Sequence, residues 1–344
     1  MARLLLLALI FPLAVFPVDS QVDEPERSRE LADVAKLAAI TRADQSTIFF
    51  TGLIGAGYAR NGKISMLARF SGDFYARHEC YGSAVSQDGT RLVYAAPSTI
   101  PPDCRLTLQD LETGQEKELT ETGPRPAPMS WSWDDSRILY QSANGVLAVS
   151  VVDRGKQVLG PLPLHIRGNL PFEGWQLFSV EWFHQRPELM LDAELCVPAG
   201  KPGGCIVRRY VLILSTEGSR LLDAGACASV SPKRDSVAYV ANDGVVVMNA
   251  DGTDRRTVTP LPSTVFFLPF FKEEPWTSIV WAPDGQRLWF NTIIDEGGRT
   301  NAYLVDVKKG QRNRILRHSM IIVTAWRRSS KSEAPVPQAA LSRP

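Results

Sequence analysis

A ten-residue pattern returns along this chain at nearly constant intervals, and that period constrains the fold more than any single motif. Its fullest copy is Trp281-Ala-Pro-Asp-Gly-Gln-Arg-Leu-Trp-Phe290: an apolar anchor, a turn built on Pro, Asp and Gly, then a short β-favouring apolar run. The anchor position is occupied in turn by Val85, Trp131, Trp182, Val230, Trp281 and Trp326, at spacings of 46, 51, 48, 51 and 45 residues. Val85-Ser-Gln-Asp-Gly-Thr-Arg-Leu-Val-Tyr94 and Trp131-Ser-Trp-Asp-Asp-Ser-Arg-Ile-Leu-Tyr140 carry the same chemistry, and the copy from Val230 to Tyr239 keeps it. The copy from Trp182 to Leu191 has lost the Asp-Gly.

Each hairpin leads into a third predicted strand that ends in a Gly turn, at Gly114, Gly155, Gly218, Gly252 and Gly310. A fourth, more polar strand follows, such as 115–120 or 253–259. Four strands per unit at this period predict the blade of a β-propeller. The sixth anchor has only a first strand, 318–326, and the three it lacks are expected at the other terminus, in 47–50, 63–68 and 73–77. Pairing the two ends removes the sheet edges that an open array would expose. The expected fold is therefore all-β: a six-bladed propeller of four-stranded blades over residues 45–327, closed by one C-terminal and three N-terminal strands, with a short N-terminal helix.

The turn-centred pattern W/V-S-x-D-G-x-R-Φ-x-Y/F, with Φ apolar, resembles the TolB-like, WD-related six-bladed propeller repeat. The resemblance implies the fold but no single activity, since that class includes a periplasmic translocation protein, peptidase accessory domains and some lyases. Residues 21–44 leave no room for the separate N-terminal α/β domain of TolB.

The flanks fit an exported protein. Residues 1–20 read as a signal peptide, with Arg3 as the positive start, an apolar run from Leu4 to Phe16 and a small-residue exit at Val18-Asp19-Ser20. Pro12, Pro17 and the short apolar length argue against a membrane-spanning helix, and no other stretch would span once the signal is removed. Residues 21–44 are expected to be helical, with Leu31, Val34, Ala35 and Ala38 as the packing positions. Residues 328–344 read as a disordered tail. The expected location is periplasmic or secreted. With 38 Lys and Arg against 37 Asp and Glu, the bulk charge argues against nucleic acid as a partner.

Export directs attention to the five cysteines, because disulfides persist in oxidising compartments. Cys196 and Cys205 flank a loop that must reverse direction and form one candidate pair; Cys80 and Cys104 form a second; Cys227 is left over. The plainer reading of some of them is as small buried apolar residues.

Signals for chemistry are few. No G-x-S-x-G elbow is present. The stretch from Gly52 to Gly57 reads as a hairpin loop, because no strand–helix unit surrounds it to hold a phosphate. Asn249-Ala-Asp-Gly-Thr-Asp254 has the oxygen-rich look of a calcium loop but not its length or terminal Glu, and is read as a turn. His78, His165 and His318 fall near connections between blades. Three imidazoles around a channel mouth would suit a divalent metal, the basis for an alternative reading as a metal-dependent lyase or hydrolase acting on a carbohydrate. Two of those connections, 161–175 and 261–276, are long and apolar. Their Phe172, Trp175, Phe266, Phe267, Phe270 and Phe271 either fold onto the propeller or form a partner face. The leading expectation is a non-catalytic scaffold without cofactor, binding a protein or other envelope ligand through that end.

Overall fold

The computed structural model describes residues 24–52, 55–68, 83–97, 104–121, 129–141, 147–151, 158–159, 175–183, 188–198, 205–215, 218–232, 236–261, 277–294 and 299–329. The chain is an all-β propeller with four-stranded antiparallel blades and one N-terminal helix. Helix α1 (Glu24–Asp44) leads into β1 (Ser46–Gly52), β2 (Gly55–Arg60) and β3 (Lys63–Ala68). Blade 1 follows as β4 (Ser83–Val85), β5 (Arg91–Pro97), β6 (Cys104–Asp110) and β7 (Glu116–Glu121). Blade 2 is β8 (Met129–Trp131), β9 (Arg137–Gln141), β10 (Leu147–Val151) and β11 (Val158–Leu159). Blade 3 is β12 (Trp175–Trp182), β13 (Leu189–Pro198), β14 (Cys205–Ser215) and β15 (Gly218–Ala224). Blade 4 is β16 (Ala226–Val230), β17 (Ser236–Ala241), β18 (Gly244–Asn249) and β19 (Arg256–Thr259). Blade 5 is β20 (Thr277–Trp281), β21 (Arg287–Ile293), β22 (Thr300–Asp306) and β23 (Arg312–Ser319), and β24 (Ile322–Arg328) comes last.

Five of the four-stranded sheets are thus continuous in sequence, and a sixth is composite, in the order β24-β1-β2-β3. Ile48 lies opposite Trp326 and Thr47 opposite Arg327 where the two ends of the chain pair. Each sheet packs on the next. Val93 and Leu106 meet Trp131 and Tyr140 between blades 1 and 2, and Leu139 meets Val180 and Leu191 between blades 2 and 3. Met190 meets Val237 and Tyr239 between blades 3 and 4, and Val240 meets Trp281 and Phe290 between blades 4 and 5. The composite sheet completes the series: Phe50 and Trp326 pack on Trp289 of blade 5, while Phe49 and Ala325 pack on Val85 and Leu111 of blade 1.

The repeated residues have definite mechanical roles. In blade 1 the Ser86 hydroxyl donates to Asp88 at 2.6 Å, Asp88 accepts the Thr90 amide at 2.9 Å, and Ser86 accepts the Arg91 amide at 2.9 Å. Ser132, Asp134, Ser136 and Arg137 repeat the arrangement in blade 2. Gly285, with φ +66°, supplies the left-handed step that closes this turn in blade 5. The anchor tryptophans tie one sheet to another: Trp131 Nε1 donates to the Ala84 carbonyl at 2.9 Å and Trp281 Nε1 to the Ser229 carbonyl at 3.0 Å. Trp326 Nε1 donates instead to Ser46 Oγ at 2.8 Å, stitching β24 to β1. In blade 3, whose turn chemistry is lost, Trp182 Nε1 is buried with no hydrogen-bond partner among the described residues.

The structure corrects three details. The stretch from Gly52 to Gly57 is not a hairpin loop throughout, because its second half opens β2, which makes 63–68 the outer strand of the composite sheet. Small residues hid this strand. Gly57 is required there because a Cβ would stand 2.6 Å from the Ser65 carbonyl oxygen. The region 318–326 is the end of β23 and most of β24, joined at 320–321, and not one strand. Helix α1 is present as expected, but its buried side is Glu30, Asp33, Val34, Leu37, Ala38 and Thr41, while Leu31 and Ala35 face solvent. The acidic positions 30 and 33 belong to the inner stripe because that end of the helix meets Arg299 and His318 and not an apolar surface. Residues 73–77, the signal region and most of the tail lie outside the described residues.

Candidate functional site

Strand direction gives the propeller two unlike ends. All connections from a blade's fourth strand to the next sheet's first strand emerge at one end, and the anchor turns lie at the other. At the loop end, 15 residues separate Leu159 from Trp175 and 17 separate Thr259 from Thr277. Phe172, Phe266, Phe267, Phe270 and Phe271 all belong to these two connections and lie outside the described residues. Trp175 is the first residue of β12, opposite Leu195, and so is a strand residue.

The turn end carries a feature that sequence reasoning missed. Arg327, at the end of β24, lies among side chains from other sheets, and a Cβ on Gly89 of blade 1 would stand 3.2 Å from its own Cβ. Burial pulls its pKa down, and the carboxylates of Glu181 in blade 3 and Asp135 in blade 2 oppose that shift. Its Nε is buried without a partner. Burial also pushes both carboxylates up, against their hydrogen bonds. Asp135 accepts the amides of Gln87 and Asp88 in blade 1 at 2.6 and 3.0 Å, and Glu181 accepts the Val230 amide in blade 4 at 2.7 Å. Asp135 holds φ +55°, the left-handed conformation that Gly89 and Gly285 adopt at the matching positions.

A signal for this cluster was present in the repeat. The residue before the anchor is Ala84, Ser130, Ser229, Val280 or Ala325 in the other copies and Glu181 in blade 3. The residue after it is Ser86, Ser132, Phe183, Ser231 or Ala282, and Arg327 in the last copy. A charge in a column otherwise filled by small or apolar residues marks a place where the repeat has been diverted.

A second buried carboxylate joins blades 3 and 4. Asp192 is 1% exposed. It accepts Arg209 Nε at 3.2 Å and Nη2 at 2.5 Å, and its Oδ2 also accepts the Cys227 amide at 2.7 Å. Burial pushes the Asp192 carboxyl up, and Arg209 opposes it. Cys227, a free thiol, has φ +57° at an irregularity in β16 that aims its N–H at this carboxylate. Asn291 occupies the corresponding place in blade 5 and donates to the Ile321 carbonyl, in the connection that leads into β24, at 3.0 Å. Ionisable groups with shifted pKa values often mark active sites. Here the carboxylate oxygens are committed to main-chain amides of neighbouring blades and, for Asp192, to Arg209 of its own blade, so these groups act as clamps between blades.

Other candidates separate in space. His318 is exposed at the top of β23, its backbone N–H donating to Asn301 Oδ1 at 3.2 Å, beside Glu26, Glu30 and Asp33 of α1. His78 and His165 lie outside the described residues. Asn249 to Asp254 borders a cleft of about 300 Å³ between blades 4 and 5 at the turn end. Asp251 Oδ1 accepts both the amide and the hydroxyl of Thr253, at 2.9 and 2.6 Å, which are turn bonds. Among the described residues, no group of three or more His, Cys, Asp or Glu is arranged to hold a metal ion. Cys104 is fully buried in β6, and its candidate partner Cys80 lies outside the described residues. Pairing of β13 with β14 sets Cys196 opposite Val207 and Cys205 opposite Pro198, so the two cysteines are diagonal neighbours and not directly opposed. No helix among the described residues is long and apolar enough to cross a membrane.

The sequence matches no protein-family model, and no curated protein matches it. Solved structures do superpose on it. A chain from a nidogen/laminin complex aligns with a TM-score of 0.53 at 11% identity, over 83% of this chain and 99% of the other. TolB from Acinetobacter baumannii aligns with a TM-score of 0.52 at 15% identity, over 88% of this chain and 72% of the other. An oligogalacturonate lyase in complex with manganese aligns at 0.47 and 17%, over 69% of this chain and 66% of the other. At such identities the likeness to the first two shows a shared propeller fold.

Proposed function

We propose that this chain is an exported, non-catalytic, TolB-like propeller of six blades, the composite sheet counting as the sixth, that binds a protein or other envelope ligand through its loop end in the periplasm or outside the cell. The observation that carries the reading is the contrast between the ends. The turn end is finished with short Asp-centred turns and with Glu181 and Asp135, whose carboxylates are spent on main-chain amides of neighbouring blades beside the Arg327 charge. The long, phenylalanine-bearing connections all leave from the opposite end. Loops held by a rigid scaffold are where binding surfaces concentrate, and aromatic clusters supply most of the energy of such surfaces.

Replacing Phe266, Phe267, Phe270 and Phe271 together by Ala tests it. Pull-down from an envelope fraction, with circular dichroism and melting temperature as controls for folding, should show a wild-type partner lost from the variant. An intact variant that retains every partner removes the loop end from consideration. Elemental analysis of the purified protein provides the second arm: stoichiometric metal that depends on His78, His165 and His318 would replace the scaffold reading with metal chemistry.

A further inference from the structure

The hairpins that end blades 1 and 5 are copies of one another with the charge reversed. Asp110-Leu-Glu-Thr-Gly-Gln-Glu-Lys-Glu118 matches Asp306-Val-Lys-Lys-Gly-Gln-Arg-Asn-Arg314 position for position. Asp110 Oδ1 accepts the amides of Glu112 and Thr113, and Asp306 Oδ1 those of Lys308 and Lys309. Gly114 and Gly310 hold φ +72° and +69° and donate to the carbonyls of Asp110 and Asp306, each at 2.9 Å. Where blade 1 carries Glu112, Glu116 and Glu118, blade 5 carries Lys308, Arg312 and Arg314, all of them exposed.

Both hairpins end in strands, β7 and β23, that are terminal in their sheets among the described residues, with α1 packing against β23 around Leu316, away from Arg312 and Arg314. At eight residues, β23 is also the longest outer strand of the propeller's sheets. Charges on an edge normally guard it against pairing, because a neutral strand would desolvate them without compensation. The same charges admit one kind of strand, an edge of opposite sign with matching spacing, and such an edge exists on this chain.

We propose that β23 of one molecule pairs with β7 of a second copy of this chain. An antiparallel register with Lys117 opposite Asn313 sets Glu116 opposite Arg314 and Glu118 opposite Arg312, and opposite charges facing each other across strands favour pairing. In the free chain Glu116 accepts the Tyr94 hydroxyl at 2.9 Å and Glu118 pairs with Arg105 at 3.2 Å, both exposed contacts that a partner strand can replace. Arg312 donates to the Pro260 carbonyl at 2.6 Å. The side chains of Lys308 and Arg314 have no hydrogen bond or ion pair among the described residues. The contact is heterologous, so it builds chains or a ring and not a symmetric dimer. A net charge of +1 disfavours a general polyanion as the occupant, because the acidic edge would repel it.

Sedimentation velocity of the purified chain is the test. The wild type should self-associate at about 50 mM salt and weaken about tenfold or more at about 500 mM, as screening shortens the reach of the exposed charges. R312E/R314E has two acidic edges and E116R/E118R two basic ones. Each should be monomeric alone, with unchanged circular dichroism and melting temperature, and a mixture of the two should associate. A monomeric wild type at low salt overturns the proposal. So does continued association of either variant alone, or a mixture that stays monomeric while the wild type associates.

Discussion

Asp192→Asn isolates the energetics of the buried ion pair that Asp192 and Arg209 form within blade 3, at its seam with blade 4. The substitution preserves size and one acceptor oxygen, which can still receive the Cys227 amide. It removes the charge that faces Arg209 at 2.5 and 3.2 Å. An amide nitrogen then confronts a guanidinium, and the arginine loses its buried countercharge in a site where Asp192 is 1% exposed. Removing one partner of a buried pair costs about 3 to 5 kcal/mol. The Arg209 side chain retains 14% exposure, so water relieves part of its charge and the low end, about 3 kcal/mol, is expected. For a domain of this size that corresponds to a melting-temperature drop of about 6 °C. Thermal denaturation of the wild type, D192N, R209M and D192N/R209M at neutral pH closes the cycle. The double variant has no buried charge left and should melt above D192N, with a coupling of about 2 kcal/mol. Additive losses, or a D192N variant as stable as the wild type, would show that the pair does not stabilise blade 3 at this seam.

Two further outcomes are expected. Gly57→Ala drives a Cβ to within 2.6 Å of the Ser65 carbonyl oxygen, so β2 and β3 must part locally, and urea denaturation should register a loss of about 1 to 3 kcal/mol; an unchanged midpoint would mean that the strands adjust freely. Asp243 is held at about 2, below its ordinary 3.8, by Arg255 and Thr257. Because the folded value is the lower one, its contribution is present at neutral pH and disappears as pH falls from the ordinary value through about 2. Carbon NMR titration should find that midpoint in the wild type and a return toward the ordinary value in R255A; an unmoved midpoint in R255A would reject Arg255 as the cause.

Much of the fold is legible in the sequence because the features that make blades are local. An anchor, an Asp-centred turn and an apolar triplet lie within ten residues, and Ser86, Asp88 and Arg91 satisfy one another without help from elsewhere. What stays hidden depends on distant neighbours. Nothing in Gly55-Ala-Gly-Tyr-Ala-Arg60 announces a strand, since its small residues answer to the close approach of β3. The outward position of Leu31 depends on where α1 meets blade 5 and not on helical period alone. Asp192 and Glu181 look like ordinary surface carboxylates until Arg209, Cys227, Val230 and Arg327 are placed around them. The loop-end phenylalanines have no strand period to interpret, and their role rests on the end from which they emerge.

The composite sheet has a consequence for how the molecule can be made. Ser46 and Trp326, joined by a hydrogen bond, are 280 residues apart, and the same terminal strand brings Arg327 to Glu181 and Asp135. A chain emerging from the ribosome can form blades 1 to 5 in order, each from neighbouring segments, while β1 to β3 wait with one face and one edge unpaired. Until β24 arrives, Glu181 at the turn end lacks the countercharge of Arg327 and the two ends of the chain are unpaired. Closure therefore depends on the last strand to be made, which couples apolar packing to charge neutralisation in one step of the chain.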